Sequence, residues 1–361
     1  MARARGPSVP FDVSPAIHGR NAKGDHQMVN LSRLALAVGL IAVALPAAAE
    51  ETPILRIFTY DSFATEWGPG PALKAGFEEN CGCVVEFTTA DDSIATLRRV
   101  QLEGETTEAD LVVGLDTAIA GEARATGLFS PHGLELDHLD LPYPWTDPLF
   151  VPFDYGYFAY VYNTEELPDP PASFEELIAL PDDFKIVLQD PRSSTPGLGH
   201  VLWIQAAYGD RSPEIWEGLA PHVLTVTRGW SEAYNLFLSG EADMVLSYTT
   251  SPAYHAIAED DDRYGAASFE EGHVAQVEVA GILASSDQQA LAQDFLAYLT
   301  SVEAQKIIPT TNWMYPVIDL GDELPAAFAE LPKPETVLSI DEEAITANSR
   351  DWAAAALAAL R

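Results

Sequence analysis

Phe150-Val151-Pro152-Phe153-Asp154-Tyr155-Gly156-Tyr157-Phe158-Ala159-Tyr160-Val161-Tyr162 is a long extended run of aromatic and β-branched residues, the types that suit a pleated, half-buried surface. A second run, His273–Leu283, has the same character. Neither fits inside a single sheet of the kind the rest of the chain predicts. Elsewhere short β-rich segments alternate with helical ones, the pattern of an α/β fold. Both runs separate blocks of such units, so 151–162 and 273–283 read as paired crossovers, or hinges, between two lobes. The first lobe is then discontinuous, 52–150 plus 284–361, and the second is 163–272. A mature chain of this length favours two lobes over one core.

Strands are expected at Ile54–Thr59, Val84–Thr88, Leu111–Leu115, Lys185–Leu188, Leu224–Val226, Met244–Ser247 and Ala275–Leu283. Capping boxes at Ser173-Phe174-Glu175-Glu176 and Ser339-Ile340-Asp341-Glu342 start helices, and Ser212-Pro213 places proline at a first helical position. The Ala- and Leu-rich stretch 352–360 reads as a terminal helix. Ligands of open α/β sheets bind outside the carboxyl ends of the strands, which in two lobes face each other across a cleft.

Segments rich in aromatics, carboxylates and hydroxyls fall at those ends. Tyr60-Asp61 follows the first strand, with Trp67 on a loop stiffened by Gly68-Pro69-Gly70. Asp190–Thr195, Trp230 and Tyr248–Ser251 follow three others, and Trp313 lies in the irregular loop before Tyr315-Pro316. Tyr248 and Tyr254 bracket Thr249, Thr250 and Ser251, the densest polar and aromatic cluster in the chain. Ring faces attract cations and carboxylates neutralise them, so the combination suits a flat, cationic small molecule. Asp92 and Ser93 precede the helical run Ile94–Leu102, as a cap or as cleft groups. Ser194 and Thr195 open another helix, where free N–H groups either cap that helix or accept an anion. Ser231 is the expected cap of the helix beginning near Trp230. No catalytic nucleophile–base pair and no metal quartet runs through these segments.

Residues 34–45 are uniformly apolar, follow Arg33 and run into Pro46-Ala47-Ala48-Ala49. A basic flank, a short apolar core and a small-residue end make a secretory signal. The run falls short of the roughly 20 residues a membrane-spanning helix needs. Residues 28–49 are therefore the expected signal peptide, with 1–27 an upstream mis-start or extension, and the mature protein is expected in the periplasm. Residues 1–49 carry five Lys/Arg and two Asp/Glu, which leaves 14 basic and 53 acidic side chains and a net charge of −39. Nucleic acid is thereby excluded, because phosphate binding draws on clustered Lys and Arg. Cys81 and Cys83 are the only cysteines, and in an oxidising compartment a disulfide between them is plausible.

The text at these positions resembles the bacterial periplasmic thiamine-binding proteins, the solute receptors of thiamine ABC importers. It includes Thr59-Tyr60-Asp61-Ser62-Phe63, Trp67-Gly68-Pro69-Gly70-Pro71, Cys81-x-Cys83 and Val151-Pro152-Phe153-Asp154-Tyr155-Gly156-Tyr157-Phe158. It continues through Gln189-Asp190-Pro191-Arg192, Ser194-Thr195-Pro196-Gly197, Gly229-Trp230-Ser231-Glu232-Ala233-Tyr234, Leu246–His255 and Asn312-Trp313-Met314-Tyr315-Pro316. The likeness runs in one order over nearly all of 54–352. Departures are the N-terminal extension, the greater acidity and Asp92-Ser93 where the family often has Asp-Gly.

The resemblance implies a type II, two-lobed periplasmic binding protein that takes thiamine, thiamine monophosphate or thiamine diphosphate. It implies delivery by a monomer to an ABC permease with its ATPase subunit. It implies ligand contacts at Asp92, Ser93, Ser194, Thr195, Trp230, Tyr248, Thr249, Thr250 and Ser251, with Tyr60, Trp67, Tyr254 and Trp313 lining the cleft. No cofactor, no metal and no catalysis are expected. Two alternatives stand beside this reading. One is a thiaminase-like enzyme of the same fold, which would need a cleft cysteine; the other is a polyamine receptor.

Overall fold

The computed structural model describes residues 52–361, so the signal-peptide reading lies outside the described residues. Twelve strands form one mixed sheet: β1 (Ile54–Tyr60), β2 (Val84–Ala90), β3 (Leu111–Asp116), β4 (Phe129–Ser130), β5 (Phe150–Asn163), β6 (Ile186–Gln189), β7 (Val223–Thr227), β8 (Met244–Tyr248), β9 (Tyr264–Ala266), β10 (His273–Leu283), β11 (Tyr315–Pro316) and β12 (Val337–Leu338). The main path runs β2-β1-β3-β10-β5-β8-β6-β7. On one side β1 pairs parallel with β2 and β3; on the other β6 pairs parallel with β7 and β8. The antiparallel pair β5–β10 stands between these two parallel groups.

The pairing of β5 explains why most of its length is buried. Its first half, Phe150–Tyr157, pairs with β10, and its second half, Phe158–Tyr162, pairs with β8, so it runs from one side of the sheet to the other. Strand β10 pairs with β3 on its other edge through Glu278–Ile282. Its register breaks against β5 between Glu278 and Val279, and against β3 between Val279 and Ala280. A bulge of this kind twists a strand and re-aims a side chain.

Helices cover both faces. One cluster packs Leu73 and Phe77 of the helix Gly70–Cys81 and Phe295 of the helix Gln289–Leu299 against Leu55, Ile57 and Phe153. A larger one is continuous from Phe58, Leu97 and Val112 to Trp203, Leu246 and Phe269. The C-terminal helix Glu342–Ala359 packs on the helices Thr195–Tyr208 and Ser212–Leu219 as well as on Ala120–Ala125. That helix thus touches elements on both sides of the β5–β10 pair.

Local signals mostly act as their chemistry predicts, with two exceptions. Ser173 accepts from the N–H of Glu176 and opens the helix Phe174–Ile178. At the last helix Asp341 is the cap, accepting from Glu343 and Ala344, where the pattern had pointed to Ser339. The helix Trp230–Leu238 begins one residue before Ser231 and has Gly229 at its cap position. Cys81 and Cys83 are joined at the end of their helix, across Gly82 at φ +61°, a conformation that glycine adopts without strain.

Candidate functional site: an aromatic cleft at the strand ends

A cavity of about 690 Å³ opens where the carboxyl ends of β1 and β8 meet the loops after β2, β6 and β7. Ten of the thirteen ligand-contact residues named from sequence line it: Tyr60, Trp67, Asp92, Ser93, Thr195, Trp230, Tyr248, Ser251, Tyr254 and Trp313. Three do not. Ser194 and Thr250 are fully buried, and Thr249 is 1% exposed. Thr249 is drawn down by its N–H to the Tyr157 carbonyl, and the Thr250 hydroxyl turns to the Met314 sulfur. The turn after β8 thus buries the Thr249 hydroxyl without a partner, turns that of Thr250 to Met314 and presents only Ser251, whose Oγ also meets Ser247 Oγ at 2.7 Å.

The aromatic walls are held from behind. Trp230 stacks on Tyr234 with centroids 4.8 Å apart, and its indole N–H donates to Ser247 Oγ at 2.8 Å. The Tyr234 hydroxyl meets His255 Nε2 at 2.9 Å, and His255 Nδ1 meets Glu259 at 2.7 Å. Burial holds His255 below its ordinary value. Tyr248 stacks on Phe158 at 5.3 Å and donates to Gln276 at 3.0 Å. Trp313 meets Tyr254 edge-on at 5.2 Å and sits at φ +57°, an uncommon conformation for a bulky residue and one that collects at functional sites. Trp67 remains half exposed at the rim.

At one end of the cleft three helix starts converge on a single carboxylate. Asp92 accepts from the N–H of Ser93 at 2.7 Å and from the N–H of Trp230 at 3.3 Å. Burial pushes its carboxyl above the ordinary value; the Ser194 hydroxyl and the N–H groups of Ser93, Trp230 and Thr195 oppose the shift. The Ser194 hydroxyl lies near this carboxylate but makes no well-directed hydrogen bond to it. Asp92 therefore already holds the place where an anion would sit. Both readings its sequence position offered, a helix cap and a cleft group, are met in the geometry of this one side chain.

Two further buried carboxylates, not read from the sequence, belong to the strands β10 and β5. Glu278 of β10 lines the cavity and accepts from the Tyr60 hydroxyl at 2.7 Å and from Asn312 at 3.3 Å. Asn312 also donates to Asp154 at 2.6 Å. Both acids sit alone in apolar strands, which is the sequence signal that could have found them, because an isolated buried charge needs a reason. Asp116, Glu278 and Asp154 are direct register partners across β3, β10 and β5.

Burial pushes Asp116 up to about 7 and raises Glu278 and Asp154 as well. Carboxyls with folded pKa values above their unfolded ones stabilise most when protonated. That stabilisation is complete below the unfolded value near 4 and is lost as the pH rises through about 7. The melting temperature of the ligand-free protein should accordingly fall between pH 5.5 and 8, and Asp116→Asn should flatten the fall. A melting temperature that climbs with pH over that window would contradict it.

Residues 72–354 match the family described as bacterial extracellular solute-binding protein. The thiamine-binding periplasmic protein of Escherichia coli strain K12 is 49% identical over 300 residues, 83% of this chain and 91% of that protein. Its counterpart in Brucella abortus biovar 1 is 50% identical over 310 residues, 86% and 93% respectively. A solved periplasmic thiamin binding protein superimposes with a TM-score of 0.84 at 47% identity, over 88% of this chain and 99% of that one. The fold is that of the type II periplasmic binding proteins, and the chain belongs to the bacterial extracellular solute-binding proteins, in the family of the periplasmic thiamine-binding proteins.

Proposed function

We propose that the cleft captures thiamine in the periplasm and that the protein delivers it to an inner-membrane ABC permease and its ATPase subunit. The observation that carries this reading is the pairing of ring faces from Tyr60, Trp230 and Tyr248 with the Glu278 carboxylate in one cavity of about 690 Å³. A planar aminopyrimidine stacks on rings, and a permanent thiazolium cation is favoured by ring faces and carboxylates. The 49–50% identical relatives carry thiamine in their names, which supports the same choice.

In this proposal the protein is a monomeric receptor without cofactor or catalysis. A thiaminase-type alternative needs a cleft cysteine, and the chain's two cysteines are bonded to each other at the end of the helix Gly70–Cys81. The parallel groups on either side of β5 and β10 act as the lobes, closing on the ligand as hinged binding proteins do. Titrating the mature protein with thiamine and with spermidine, followed by calorimetry, tests the reading. Saturable one-to-one binding of thiamine alone is expected. Spermidine binding as tightly would move the ligand to the polyamines.

Thiamine phosphates are accepted but not preferred in this account. The N–H groups at Thr195 and Trp230 that would receive a phosphate already face Asp92, so the two anions compete. Thr195→Val keeps the shape and removes the hydroxyl. It should weaken thiamine monophosphate by about 1–2 kcal/mol more than thiamine, the scale of a hydrogen bond to a charged group. Equal losses for the two ligands would mean that the hydroxyl serves only its own helix.

A further inference from the structure

Glu278 stands in the middle of a row of carboxylates without a base. Its register partner on β3 is Asp116 and on β5 is Asp154, and direct partners of neighbouring strands point to the same face of a sheet. The bulge between Glu278 and Val279 sits at this row. The groups facing Glu278 are Tyr60 from β1, Gln276 from β10 itself, Asn312 from the loop after the helix Ile308–Thr311, and more distantly Asp92 and Tyr248. Among the described residues, none of the ion pairs involves Asp92, Asp116, Asp154 or Glu278. Asp154 is fully buried, and its Oδ1 has no hydrogen-bond partner, although Oδ2 takes the Asn312 amide.

Two adjoining carboxyls in a dry site cannot both ionise, and one proton held between them satisfies both the charge and the orphaned oxygen. We propose that Glu278 selects for a permanently cationic ring, and that the ligand's cation takes the place of a proton shared by Glu278 and Asp154. The inference rests on the thiamine reading above and adds to it an exchange. On binding, the proton leaves for solvent, both carboxylates become anionic, and the thiazolium supplies the compensating charge. Burial raises both carboxyls from their ordinary values, which keeps that proton in place near neutral pH in the empty cleft. A neutral ligand of the same shape cannot discharge it, so the exchange rejects neutral analogues without any steric feature.

The test is calorimetric titration of the whole mature protein with thiamine in phosphate and in Tris, buffers of unlike ionisation enthalpy. The difference in apparent heat reads the protons released. Wild type should release about one proton per thiamine near pH 7. It should also bind the analogue whose thiazolium is replaced by neutral thiophene at least tenfold more weakly than thiamine. Glu278→Gln should release none and should bind thiamine and the thiophene analogue with nearly equal affinity. Asp154→Asn serves as the second variant should Glu278→Gln fail to fold. It removes one half of the shared site but keeps Glu278, so proton release per thiamine should fall below that of wild type while the preference for thiamine over the thiophene analogue persists. Thiamine binding by wild type without proton release, or an unchanged thiamine preference in Glu278→Gln, overturns the inference and leaves the thiamine reading standing. Absence of thiamine binding by wild type overturns both.

Discussion

Trp230→Ala should weaken thiamine binding by about 1–3 kcal/mol, roughly ten- to hundredfold, while leaving the fold intact. The indole presents one face to the cavity and is fixed on the other by Tyr234 and by its N–H to Ser247. The contact to Asp92 comes from the Trp230 backbone, so truncating the side chain does not remove it. The loss therefore falls on the stacking surface and not on the closure of the helix start. Trp230→Phe should recover most of the affinity, because it keeps a ring and loses only the donor to Ser247. Calorimetry and a melting curve on both variants check this. Full affinity in Trp230→Ala would remove the indole from the site.

Gly114→Ala should cost about 2–5 kcal/mol of stability and should weaken the ligand as well. Gly114 sits in β3 at φ +92°, where an L side chain is strained by about 1–3 kcal/mol. A Cβ there would lie 2.2 Å from the Tyr60 ring, closer than any real contact. The ring cannot retreat freely, since Phe63 packs edge-on against it at 5.7 Å and Glu278 holds its hydroxyl. Overpacking of this kind adds about 1–3 kcal/mol. Tyr60→Leu in the same chain should relieve part of the penalty, leaving the backbone strain, so the pair should be sub-additive. A Gly114→Ala protein that melts with wild type would show that the backbone accommodates the methyl group.

The two predictions separate what sequence chemistry conveys from what it withholds. Trp230 was legible because its position after a strand and at a helix start follows from periodicity and turn residues alone. The same holds for Tyr60, Thr195 and Tyr248, and for the long strands β5 and β10. Glu278 and Asp154 were hidden by their setting, since an acid within an apolar strand reads as a blemish until its neighbours across the sheet are known. Their meaning lies in a register that joins residues over a hundred positions apart. The hydroxyl turn after β8 misled for the converse reason. Thr249, Thr250 and Ser251 look equivalent in the sequence, yet the turn can point only one of them at the cavity, and the backbone bond to Tyr157 decides which. Asp92 is legible as a helix cap, but the helix starts at Trp230 and Thr195 that also face it are too distant in sequence to be foreseen. The strands β4, β9, β11 and β12 were missed because two or three residues carry no period.

The most direct measurement is the crystal structure of the mature protein with thiamine. One molecule is expected in the cleft, its pyrimidine against the Trp230 and Tyr248 rings and its thiazolium beside Glu278, with Asp92 still bonded to the helix starts. Thiamine found instead in the open groove beside Leu136, His138 and Val302, or lying in the cleft with its cation turned away from Glu278, would contradict it.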